Sequence, residues 1–99
     1  MSDKKKQPSL EIQLENDVAQ GIYANLAVVN HTDSEVTLDF VYIQPQEPKG
    51  KVRSRIIVSP RHAKRLLLAL KENIDRYEQA FGEIPLDLRS GPSDIVPYH

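Results

Sequence analysis

From Ser59 to Gly82 the chain carries one unbroken helical period with a start and a stop signal. That stretch limits the available folds more than any other. Ser59 is a residue type that caps helix N-termini, and Pro60 follows at the first helical position, where its missing N–H costs nothing. Ala63, Leu66, Leu67, Leu70, Ile74, Tyr77 and Phe81 recur at three- and four-residue spacing, which gathers them into one apolar stripe. Lys71 with Asp75 and Glu72 with Arg76 are set for i,i+4 pairing. Gly82 is the expected stop. The spacing predicts a helix over about 60–81 whose stripe must lie on something apolar.

Ahead of this helix the period changes to two. Leu10, Ile12 and Leu14 alternate with Glu11, Gln13 and Glu15, as in a half-buried strand. Ile22, Ala24, Leu26 and Val28 form a second alternating set, Val36, Leu38, Phe40 and Tyr42 a third, and Val52, Ile56 and Val58 a fourth. Polar turn residues at 31–34 and the Pro- and Gly-containing stretch 44–50 separate the last three. The expected fold is α+β: a four-stranded antiparallel meander at about 9–15, 22–30, 35–43 and 51–58, with the long helix packed on one face. Residues 9–82 form a single domain in this reading. Residues 1–8 form a polar tail and 83–99 a Pro-containing one.

The expected register pairs Val28 with Val36, Leu26 with Leu38 and Ala24 with Phe40 on the inner face. It puts Asn25 opposite Asp39 on the outer face. Pairing Ile43 with Lys51 brings Asp39 opposite Arg55, so Asn25, Asp39 and Arg55 form a polar row. Tyr23, Ala27, Val29, Val41, Ile43 and Ile57 also fall on the outer face. A sheet apolar on both sides needs a second cover. With hydrophobic residues at 39% and aromatics at 6% of 99 residues, the core is thin. Self-association is a common remedy in chains this small, so a homo-oligomer is expected.

Charge is unevenly placed. The net charge is -1, yet Lys49, Lys51, Arg53, Arg55, Arg61, Lys64, Arg65 and Lys71 occupy a stretch without any acidic residue. Such a segment faces something negative, within the assembly or outside it. In the expected fold it divides. Lys51, Arg53 and Arg55 lie on the sheet, and Arg61, Lys64 and Arg65 on the helix. No P-loop, G-x-G-x-x-G or G-x-S-x-G is present. His31, Asp33 and Glu35 cluster around one turn without a further identifiable ligand, so no metal or other cofactor is expected. There is no cysteine, no apolar run of membrane-spanning length, and no apolar segment after Lys4, Lys5 and Lys6. These features point to the cytoplasm.

Tyr23-Ala24-Asn25, Leu38-Asp39-Phe40, Ser54-Arg55-Ile56, Ser59-Pro60 and His62-Ala63-Lys64-Arg65-Leu66 together resemble a family of small bacterial and archaeal proteins classed as a domain of unknown function, DUF3467. The resemblance covers most of the folded part and implies no activity. The order of strands followed by one long helix is also similar, in topology alone, to the SecB-like export chaperones, which implies an oligomer that binds polypeptide.

The reading that follows is a non-enzymatic binding or assembly module. A polypeptide partner would meet Tyr23, Asn25, Val29, Asp39, Val41 and Ile43, with Arg53 and Arg55 as a polar rim. The alternative is a nucleic-acid or polyanion binder using Lys51, Arg61, Lys64 and Arg65 together with Arg53 and Arg55. An enzyme built on Asn25, Asp39 and Arg55 is the third reading. No membrane partner is expected.

Overall fold

The computed structural model describes residues 9–86. The tail expected at 1–8, and that expected beyond 86, lie outside these residues. The chain is α+β. A short helix, α1 (Asn16–Ala19), precedes three strands, β1 (Leu26–His31), β2 (Val36–Ile43) and β3 (Gly50–Val58), and a long helix, α2 (Pro60–Phe81), ends the series. The strands form one antiparallel sheet in the order β1-β2-β3.

Residues 9–15 do not join this sheet. The expected four-stranded meander is three-stranded, although the alternation at 9–15 is as regular as in any of the strands that form. Asn16 to Ala19 turn helically, and Gly21 adopts φ 77, a conformation open to glycine, so the chain is redirected before it reaches β1.

The first register differs from expectation by three residues. Leu26 faces Val41, Val28 faces Asp39 and Val29 faces Leu38. Cross-strand partners share a face. Leu26 and Val28 therefore lie beside Val41 and Asp39, and not beside Leu38 and Phe40. Two side chains fix this pairing. At the turn, the Thr32 hydroxyl accepts from the backbone N–H groups of Ser34 and Glu35 at 3.2 Å each, and Thr32 N–H donates to the Glu35 carbonyl at 2.9 Å. At the other end, Asn25 stands in for a peptide group. Its Nδ2 donates to the Ile43 carbonyl at 3.0 Å, and its Oδ1 accepts from Ile43 N–H at 2.9 Å. The chain before Asn25 is thereby released from the ladder. This is why β1 begins at Leu26 and not at Ile22.

The second register agrees with expectation through Asp39 opposite Arg55 and Phe40 opposite Ser54, then shifts at a bulge between Phe40 and Val41. Beyond it Ile43 meets Gly50, not Lys51.

α2 forms where its signals place it. Ser59 Oγ accepts from His62 N–H at 3.1 Å, Pro60 opens the helix, and Gly82 closes it at φ 99. Lys71 Nζ donates to Asp75 Oδ2 at 2.9 Å, and that hydrogen bond holds the lysine amine above its ordinary pKa. Arg76 donates to Asn73 at 3.3 Å instead of pairing with Glu72.

The helix is not packed on the sheet as expected, for it buries none of its residues. β3 and α2 are joined by Ser59 alone, which the following proline keeps extended at φ -70, ψ 158, so no loop turns the helix back over the sheet. Among the described residues Val41, at 5% exposure, is the one buried hydrophobic residue, while Leu67, Leu70 and Phe81 on the stripe stand at 62%, 56% and 76%.

Removing the Ser59 cap by Ser59→Ala should lower stability by about 1 kcal/mol. Asn25→Ala deletes two hydrogen bonds and should cost about 1–2 kcal/mol, with Asn25→Asp, which retains only the acceptor, in between. Denaturant midpoints at one fixed protein concentration would read both effects.

Candidate functional site

The most enclosed polar group is Asp39, at the centre of β2 with 1% exposure. Its strand position puts Val28 on one side and Arg55 on the other. Arg55 Nε donates to Asp39 Oδ1 at 2.7 Å and Nη2 donates to Oδ2 at 2.8 Å. This two-pronged geometry matches a planar guanidinium to a carboxylate and is stronger than a single contact. Arg55 itself keeps 58% side-chain exposure, so solvent screens one end of the pair while the carboxylate end is covered. The polar row expected from the sequence is thus half present. Asp39 and Arg55 meet. Asn25 does not join them, because its amide is committed to the Ile43 backbone.

The other expected contact residues divide between the two faces. Val41 and Ile43 share the face of Leu26 and Asp39, while Val29 lies on the opposite face with Leu38 and Phe40. Val41 is buried, whereas Val29 and Ile43 are exposed. Tyr23 sits edge-on to Tyr42, ring centroids 6.1 Å apart at 71°. The sequence reading misses Tyr42 as its partner because it assigns the two rings to opposite faces. The aromatic alternation did signal Tyr42, but the shifted register hid the pairing.

The basic residues also form two groups. Lys49, Lys51 and Arg53 line a depression at the β2–β3 hairpin, together with Tyr42 and Glu47. Arg61, Lys64 and Arg65 line another with Pro60 and Leu68 on the first turns of α2. A third depression is lined by Asp17, Val18, Ile22 and Ala24 together with Phe40 of β2 and Ser54 and Ile56 of β3. Among the described residues no helix is long and apolar enough to cross a membrane.

Arg55→Ala removes a charge-assisted clasp on a covered carboxylate and should cost about 2 kcal/mol, after allowance for the exposed guanidinium. Arg55→Lys should restore only part of this, since an ammonium cannot make two parallel bonds. Equilibrium unfolding of both variants would separate loss of charge from loss of geometry.

No curated protein and no solved structure matches this chain. The family model described as "Protein of unknown function (DUF3467)" matches residues 1–86, and the chain belongs to that family.

Proposed function

We propose that the protein is a non-enzymatic assembly module whose stable form is a homo-oligomer, with the apolar stripe of α2 as its principal contact. The observation that carries this reading is the burial pattern: one buried hydrophobic residue among those described, against an exposed stripe that includes Leu66, Leu67, Leu70, Tyr77 and Phe81. Fixing a backbone costs roughly 1–2 kcal/mol per residue, and covering a leucine-sized side chain returns roughly 1.5–3 kcal/mol. A single buried valine with half-buried neighbours does not offset that cost. Covering the stripe narrows the gap. The residues that a catalytic row would use have structural work instead: Asp39 with Arg55, and Asn25 with Ile43.

Leu70→Asp or Ile74→Asp should convert the oligomer to a poorly folded monomer, read by light scattering and helical circular dichroism. Gln79→Asp, on the opposite side of α2, should leave the mass unchanged. A wild-type chain that is monomeric and fully folded at micromolar concentration would refute the reading.

A second reading rests on the two basic depressions. Their exposed Lys51, Arg53, Arg61, Lys64 and Arg65 suit a polyanion held across an assembled surface. Binding of single-stranded nucleic acid should then weaken steeply with salt, with a log–log slope of about -0.7 per phosphate contact. Affinity that is flat in salt would dismiss this reading.

A further inference from the structure

Residues 9–15 carry the alternation of a strand but join no sheet among the described residues. Leu10, Ile12 and Leu14 alternate with Glu11, Gln13 and Glu15, and the three apolar side chains stand at 85%, 84% and 67% exposure. Period-two amphipathicity of this regularity has a use only where a sheet covers one side. The three-stranded sheet has two open edges, β1 and β3. Open edges are templates for pairing with another chain.

We infer that residues 9–15 of one copy add as a strand to the outer edge of β3 in a second copy, reciprocally, so that each sheet gains its fourth strand from its partner. This deepens the assembly reading above and rests on it.

Three observations select this occupant and this edge. The first is charge. β3 carries the exposed Arg53 in its bulge, next to Arg55, whose guanidinium already clasps Asp39, and Lys51 on the Tyr42 side, and it carries no acidic residue; the incoming segment carries Glu11 and Glu15 and no cation. Opposite charges on facing strands are favourable, and like charges are not. The second is pattern and length. β3 offers nine residues to a seven-residue segment. Ser54, Ile56 and Val58 share the Phe40 face, with Arg55 on the other. An apolar row of Leu10, Ile12 and Leu14 laid beside Ile56 therefore puts Glu11 and Glu15 on the side of Arg55. The third is position. Val18 and Ile22, which follow residues 9–15 in the chain, line one depression with Ser54 and Ile56 of β3 and with no residue of β1. The β1 edge has six residues, among them Asn30 and His31, and no comparable cationic run. Reciprocal exchange closes the contact with two-fold symmetry and leaves no free copy of either surface.

The chain has no cysteine, so engineered thiols report unambiguously. Full-length chains carrying Ile12→Cys are co-expressed with differently tagged chains carrying Ser54→Cys or Ile56→Cys, then oxidised. The expected result is that a covalent heterodimer dominates both homodimers in at least one pairing. In a single chain carrying Ile12→Cys with the matching β3 cysteine, the bond should form between chains. Closure within one chain would overturn the proposal, because the segment would then serve its own sheet. So would absence of the heterodimer in both pairings. A charge test backs this up should a thiol variant fold poorly. Glu11→Lys with Glu15→Lys should raise the dissociation constant at least tenfold, and Arg53→Glu in the same chain should recover part of that loss. An unchanged dissociation constant for the first pair would refute the exchange. An oligomer that persists without the cross-link would overturn the exchange alone and leave assembly through α2 standing. A monomer by light scattering would overturn both.

Discussion

A single residue separates β3 from α2, and the rest of the architecture depends on what Ser59 can do there. Pro60 keeps Ser59 extended, and the Ser59 hydroxyl caps the helix that begins immediately after it. The same two residues start the helix and leave no loop between it and the sheet. A helix of 22 residues, about 33 Å long at 1.5 Å per residue, stands apart from the sheet that a compact domain would use as its cover. Among the described residues the apolar stripe is left uncovered together with much of the apolar surface of the sheet.

Much of this was legible residue by residue. The helix could be placed because capping, stripe spacing and glycine termination are local and agree with one another. The Asp39–Arg55 pair was legible because opposite charges at facing positions mark one register; the count at the hairpin flank was not, since the bulge between Phe40 and Val41 moves Ile43 to Gly50 without disturbing that pair. The β1–β2 register was not, since alternation alone leaves the count open and two side chains settle it: Thr32 by tightening the turn, Asn25 by clasping Ile43. Neither belongs to the hydrophobic pattern. A three-residue shift is odd, so it carried Leu26 and Val28 to the other face. The packing of the helix was illegible for a different reason. Periodicity states that a stripe must be covered and says nothing about which molecule covers it.

The charge pattern is best understood in the same frame. Net charge near zero conceals a cationic stretch from Lys49 to Lys71, and the structure resolves it into parts with different environments. Arg55 is turned inward to a covered carboxylate, which holds the centre of the sheet. Lys51 and Arg53 lie along an open edge, and Arg61, Lys64 and Arg65 lie on α2. Clustering along the sequence is therefore poor evidence for one polyanion groove. Lys51 and Arg53 share the hairpin depression, while Arg55 is bound to Asp39.

An exposed sheet edge is normally a hazard that proteins blunt with charge. Here β3 has the charge, and the complementary carboxylates lie on residues 9–15, which pair with no strand among the described residues. A cationic edge repels a second cationic edge, so direct pairing of two copies of β3 is disfavoured. On the exchange proposed above, the same edge would instead take a strand bearing Glu11 and Glu15, and the same residues would discourage unlimited edge-to-edge growth and favour one closed exchange.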